Sequence, residues 1–163
     1  MGEFFLGARL LLLLSIANLA PILLFSLAGR QLGARLDGGL NFFDCRPLLG
    51  PSKTVRGVAA AVVAAALVAP LLGFSPYLGA VVGGFSMLGD ALSSFCKRRL
   101  GLPASAKATG LDQIPEALLP LLVVADPLLL SPLQIAAVTL AFFALEIPIS
   151  RLLFRLGLRD HPH

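Results

Sequence analysis

Apolar residues run along this chain in long blocks rather than in alternation, and short stretches carrying most of the charge separate them. Five blocks read as helices, over about 4–28, 57–73, 77–96, 113–130 and 132–156. With tilt and interfacial ends allowed, each is roughly long enough to cross the ~30 Å hydrocarbon layer of a bilayer at about 1.5 Å per residue. The second and fourth are the most marginal. Pro70 near the end of the second, and Pro115 and Pro120 in the fourth, imply kinks, because a proline frees a carbonyl that a neighbour must satisfy in lipid. Two loops, 29–56 and 97–112, connect blocks one to two and three to four, and there is no internal repeat.

Composition agrees with this pattern. Of 163 residues, 57% are apolar and 13% charged, with a mean hydropathy of +0.89. Soluble domains average roughly 45–50% apolar and about 25% charged, so this chain has too few charges to coat a water-facing surface. A soluble globular enzyme is excluded, and the expected fold is an all-α integral membrane protein of one polytopic domain, 1–163. The first residues lack both the basic stretch of a signal peptide and the Ser or Thr that myristoylation needs, so the first apolar run is expected to stay.

The net charge of +4 reads as topology rather than as a nucleic-acid surface. Arg30, Arg35, Arg46, Lys53 and Arg56 lie in the first loop, Lys97, Arg98, Arg99 and Lys107 in the second, and Arg151, Arg155 and Arg159 near the C-terminus. Only Arg9 is near the other side. The positive-inside rule then predicts an N-terminus outside, a cytoplasmic C-terminus and an odd number of spans. The expected setting is the cell membrane, multi-pass, with both loops facing the cytoplasm. Cys45 and Cys96 are far apart and show no metal-ligand spacing.

Some polar residues sit where a membrane disfavours them. Asp90 lies about six residues, roughly 9 Å, inside the cytoplasmic end of the third block. A carboxylate at that depth must be paired, hydrated or metal-bound, and it usually marks a pathway or a site. Helical spacing puts Ser86, Asp90, Ser94 and Lys97 on one stripe, a polar face descending from the cytoplasm. A packing pair of Asp90 with Lys97 or with an arginine in the bundle core is the plainer account of the same stripe. Gly79, Gly83, Gly84 and Gly89 make this helix thin enough for a second backbone to approach.

Asp112 and Gln113 open the fourth block, with Glu116 one turn later. Asp112 suits a helix cap. Two carboxylates on neighbouring helices beside Lys97, Arg98 and Arg99 also suit Mg²⁺, which is usually held by one or two carboxylates plus substrate phosphate oxygens. In the first loop, a glycine-containing turn brings Lys53, Thr54, Arg56 and Gly57 to the start of a helix, an arrangement that fits a polyphosphate. It is no Walker A loop, since Pro47 and Ser52 stand where glycines are needed. A basic loop beside a membrane equally fits a topology signal or anionic lipid. Asn18, Asp37, Glu116 and Glu146 are polar positions with a lipid or structural role; Asn18 fits an interhelical hydrogen bond, and Glu146 fits a pair with Arg151. His161 and His163 lie in a short tail, so no histidine is placed for acid or base catalysis.

The run GPSKTVRG after a DGG loop, then SMLGDALSSFCKRRLG, then LDQ opening the next helix, resembles the CDP-archaeol synthase family. These are archaeal CTP-dependent cytidylyltransferases of ether-lipid synthesis, and the likeness extends more distantly to the catalytic half of CDP-diacylglycerol synthases. It covers nearly the whole chain. Its motifs fall on Lys53, Thr54, Arg56 and Gly57, then on Asp90, Ser94, Lys97 and Arg98, then on Asp112 and Gln113. Asn18 and Pro21 are similar to the family's first-helix signature.

The resemblance implies Mg²⁺-dependent transfer of CMP from CTP to 2,3-di-O-geranylgeranylglyceryl phosphate, giving an unsaturated CDP-archaeol and pyrophosphate. Asp90 and Asp112 would then be catalytic metal ligands, with Lys97 and Arg98 catalytic beside them. Lys53, Thr54, Arg56, Gly57, Ser94 and Gln113 would bind nucleotide. CTP, an isoprenoid ether-lipid phosphate and the bilayer are the expected partners, a homodimer is left open, and no nucleic acid is expected. Charge supports the grouping: CTP at about −4, a lipid phosphate near −2 and two carboxylates sum to roughly −8, which divalent ions and the two basic clusters offset. A CDP-alcohol phosphotransferase is the first alternative, but its DG-x-x-AR signature is absent after Asp37 and Gly38. A small proton- or ion-coupled transporter is the second, and it leaves the LDQ and SKTVRG elements unexplained.

Overall fold

A computed structural model describes residues 2–28, 33–103, 106, 108–155 and 157. Arg30, Lys107, Arg159, His161 and His163 lie outside the described residues. Among those described, the elements are helices: α1 Gly2–Ala28, α2 Val55–Val68 with a 3₁₀ turn Ala69–Leu72, α3 Pro76–Arg99, α4 Gln113–Val123 and α5 Pro132–Arg155. Among the described residues, four segments are long and apolar enough to cross a membrane: Phe4–Ser26, Val55–Leu72, Pro76–Arg99 and Pro132–Arg155.

The fourth block corrects the expectation of a helix over 113–130. It is helical only through Val123, about 16 Å at 1.5 Å per residue, and continues as turns over 124–129. Pro127 has no N–H to continue the ladder and biases Asp126 away from the helical region, while Leu129 adopts a positive φ of 52°. Pro70 acts more mildly in the second block. There the last turn tightens to 3₁₀ geometry, with Gly73 N–H donating to the Pro70 carbonyl at 3.0 Å. Gly73, at φ 78°, reverses the chain into α3, whose start is capped by Ser75 accepting from Leu78 N–H at 3.1 Å.

α3 is the central helix, packing against α1, α2 and α4, while α5 closes the bundle against α1 and α4. The alanine face of α2 and its 3₁₀ turn, Ala61, Ala65 and Ala69, is fully buried. A Cβ at Gly79 would lie 2.4 Å from the Ala65 carbonyl oxygen, and one at Gly83 2.8 Å from that of Ala61. Such backbone contact is how helices associate where lipid removes the hydrophobic drive between them. Leu10, Leu13, Leu14, Ala17, Leu121 and Phe142 fill the centre. Val124, Ala125, Leu128 and Leu130 of the fourth connection join the same core as Leu72, Phe74 and Leu78.

Candidate active site

Most of the candidate side chains gather at the end of the bundle where α2 begins and α3 finishes. Two cation–carboxylate pairs define it. Lys53, just before α2, contacts the Asp90 carboxylate of α3. Two turns further along α3, Lys97 Nζ lies 2.6 Å from Asp112 Oδ1 at the start of α4. The packing account of the polar stripe, Asp90 with Lys97, is therefore not what the structure adopts. Each lysine crosses to a carboxylate on another segment.

Asp112 does not cap α4. Its backbone is already helical, and its side chain makes no capping bond to the helix. Its second oxygen accepts instead from Ala108 N–H at 3.1 Å, tying the end of the 97–112 loop to the ion pair. Gln113 Oε1 accepts from Gly110 N–H at 2.8 Å, so the LDQ element folds its own approach loop. Lys97 Nζ is 3.4 Å from the Ala106 carbonyl, and Arg98 Nη2 donates to the Pro103 carbonyl at 2.8 Å. Arg98 is buried, and its Nε has no hydrogen-bond partner among the described residues. Ser94 is buried on the same stretch of α3.

Glu116 is more central than its sequence position suggests. The crossing of α3 and α4 is so close that a Cβ at Gly89 would stand 2.2 Å from the Pro115 carbonyl oxygen and 2.7 Å from Glu116 N. That approach brings the Glu116 side chain into hydrogen-bond contact with Asp90. Glu146 of α5 lies close enough to act on Glu116 electrostatically. Two carboxyl groups in contact need a shared proton or a cation between them. Lys53 serves both carboxyls electrostatically here.

Thr54 is the N-cap of α2, its hydroxyl oxygen accepting from Gly57 N–H at 3.1 Å. Gly57 sits close to Thr54, Phe25 and Pro21, and Arg56 stacks its guanidinium 5.0 Å above the Phe25 ring. Asn18 donates to Ser86 Oγ at 2.9 Å, the interhelical bond that joins α1 to the polar stripe of α3. Asp37 organises the first loop rather than entering the cluster. Its oxygens accept from the N–H groups of Gly39, Leu49 and Gly50 at 2.9, 3.0 and 2.9 Å. Burial pushes the Asp37 carboxyl up, but those three donors, with the charge of Arg35, outweigh it and hold the carboxyl below its ordinary value.

Sequence reasoning missed the clasp between this loop and the end of α3. Arg99 pairs with Asp44, donates to the Pro47 carbonyl at 2.7 Å and lies 4.7 and 5.0 Å from the Phe42 and Phe95 ring centres. Arg46 reciprocates with a bond to the Arg99 carbonyl at 2.8 Å. Partners more than 50 residues apart leave no local spacing signal.

Comparison with known proteins follows the same lines. A family model described as CarS-like, CDP-archaeol synthase, matches residues 8–163. The CDP-archaeol synthase of Hyperthermus butylicus is 40% identical over 104 residues, covering 60% of this chain and 59% of that protein, so the match spans about three fifths of that relative. The CDP-archaeol synthase of Sulfurisphaera tokodaii is 32% identical over 136 residues, 80% of this chain and 82% of the relative. A solved structure described as an intramembrane enzyme for archaeal membrane lipids biosynthesis superposes with a TM-score of 0.66 at 30% identity, covering 86% of this chain and 90% of that one.

Proposed function

Since the chain belongs to the CDP-archaeol synthase family, we propose that it transfers CMP from CTP to 2,3-di-O-geranylgeranylglyceryl phosphate and releases pyrophosphate. The observation that carries this reading is the double pairing of Lys53 with Asp90 and Lys97 with Asp112, which gathers two cations and two acids from separate segments at one end of the bundle. Each lysine is paired with an acid. With substrate bound, the lysines turn to phosphate oxygens.

A lipid phosphate oxygen attacks the α-phosphorus of CTP, and the bond to the bridging oxygen of the leaving pyrophosphate breaks. The attacking phosphate is already largely ionised at neutral pH, its second pKa being about 6, so no general base is required. Catalysis is then positioning of two anions and neutralisation of their charge. Lys53, Arg56 and the α2 N-terminus capped by Thr54 receive the triphosphate. Lys97 and Arg98 steady the lipid phosphate or the leaving group, and the buried Arg98 Nε is a donor for a phosphate oxygen.

The acids fit Mg²⁺ through the chemistry of their donors. Asp90 and Asp112 offer hard oxygens, with Glu116 in reach of Asp90. Mg²⁺ is usually held by one or two carboxylates, with phosphate oxygens and water as its other ligands, and these acids match that donor set. Bound there, Mg²⁺ would screen the charge that develops on the leaving pyrophosphate. The basic loops support a cytoplasmic setting for this end of the bundle, since positive residues favour that side.

The test is pyrophosphate release by purified protein in detergent. Release should require CTP, the lipid phosphate and Mg²⁺ together, and Asp90→Asn and Asp112→Asn should each abolish it. Release that is indifferent to lipid phosphate, or full activity in folded Asp90→Asn protein, would refute the assignment.

A further inference from the structure

The loop before α2 carries a surface that the chemistry above does not use. Residues 40–48 form a tight hairpin, with Phe42 N–H donating to the Arg46 carbonyl at 2.8 Å and Leu48 N–H to the Leu40 carbonyl at 2.9 Å. Cys45, at φ 59°, turns its tip. Phe43 at that tip is 97% exposed, and Leu40 at the open end of the hairpin is 65% exposed. The exposure is enforced, because the Asp37 bonds hold the base of the hairpin and the Arg99 clasp holds its side. A rigid hairpin that presents an aromatic ring outward has no freedom to fold that ring back into the protein.

The surface is continuous with the lipid-facing side of the bundle. The Phe43 ring packs edge-on to Phe42 with centroids 5.1 Å apart, and Phe42 to Phe95 at 5.4 Å. Phe95 lies on one face of α3 with Leu92 and Leu88, both exposed in a segment apolar and long enough to cross a membrane. Exposed Tyr77 marks the other end of that helix, 18 residues or about 27 Å from Phe95, close to the ~30 Å hydrocarbon thickness. Aromatic side chains concentrate at the two interfaces of a bilayer.

We infer that Phe43 and Leu40 are a membrane-interface anchor: the hairpin dips its tip into the headgroup–acyl boundary of the leaflet beside α3. The occupant of this surface is the lipid interface, and a second copy of the chain is the rival. The anchor fixes the height of the segment that ends in Lys53, because Leu36 N–H bonds the Lys53 carbonyl at 2.8 Å and Val55 N–H bonds that of Ala34 at 3.0 Å. The inference rests on the membrane placement of the helices and is independent of which nucleotide is used.

The chain contains no Trp, so Phe43→Trp supplies a single reporter at a position that is almost fully exposed. Leu40→Trp is the second reporter, in case the first disturbs the tip. Each variant is reconstituted into vesicles of phosphatidylcholine and phosphatidylglycerol, with iodide equilibrated across the membrane. A tip at the interface gives blue-shifted emission and loses about twofold more to a nitroxide high on the lipid chain than to a deep one, with weak iodide quenching. Water-like emission quenched by iodide alone overturns the inference. Blue-shifted emission that neither lipid nitroxide nor iodide quenches also overturns it, and assigns the surface to a contact between copies.

Discussion

Gly89→Ala isolates the geometry on which the site depends. A Cβ there would meet the Pro115 carbonyl oxygen at 2.2 Å, and ordinary contact begins at 3.4 Å, so α3 and α4 must separate locally by about 1.2 Å. The obstacle is backbone, which cannot swing aside as a flexible side chain can. Overpacking of this kind costs about 1–3 kcal/mol. It also carries Glu116 away from Asp90, and a misplacement of about 1 Å at reacting groups costs on the order of 100-fold in rate. Two further glycines on α3 make the comparison decisive. Gly79→Ala meets the Ala65 carbonyl at 2.4 Å and carries a similar packing cost, but about 16 Å from Asp90 along the helix. Gly84→Ala finds its nearest neighbour, Val62 Cγ2, at 3.9 Å and is free of strain. Thermal unfolding in detergent and pyrophosphate release per folded protein are measured for all three. The expectation is lowered Tm for the Ala variants at 89 and 79, lost activity for 89 only, and wild-type behaviour for 84. Equal activity losses at 79 and 89, or a folded Gly89→Ala enzyme within a few-fold of wild type, would refute the argument that α3–α4 contact sets the catalytic geometry.

Three other outcomes are expected. Asp112→Asn strands the buried Lys97 ammonium and should destabilise the protein by about 3 kcal/mol, whereas Lys97→Met with Asp112→Leu should recover most of the Tm and none of the activity. Thr54→Ala removes the cap on α2 and should cost about 1 kcal/mol in unfolding titrations, with Thr54→Ser restoring it. Asp37 has a folded pKa below its unfolded value of about 3.9, so its contribution is present above that value and is lost as pH falls through the lower, folded one. Protection of the Leu49 and Gly50 amides, corrected for intrinsic exchange, should therefore persist at pH above about 4 and disappear in more acid solution. In Asp37→Asn that protection should be weak throughout.

Much of this protein is legible along the chain, because a bilayer imposes a long-period pattern that needs no knowledge of neighbours. A run of about 20 apolar residues is a helix in lipid, since no other local structure satisfies its own backbone there. Ser86, Asp90, Ser94 and Lys97 share a stripe for a similarly local reason, the 3.6-residue turn. Tertiary contacts settled the partners. Asp90 takes Lys53 and Glu116 rather than Lys97, because Gly89 lets the α4 backbone approach and the Asp37-braced loop delivers Lys53 from the other side. Asp112 suits a cap by residue type, yet Lys97 lies opposite and takes its charge. The 113–130 run is mostly apolar, but its helical length is set by Pro127 and the turns that pack against the core. The Arg99 clasp had no sequence signature, since its energy comes from an ion pair, two ring faces and two carbonyls that only folding brings to one guanidinium. Periodicity belongs to one segment and can be read from it, whereas pairing belongs to two and exists only where their surfaces meet.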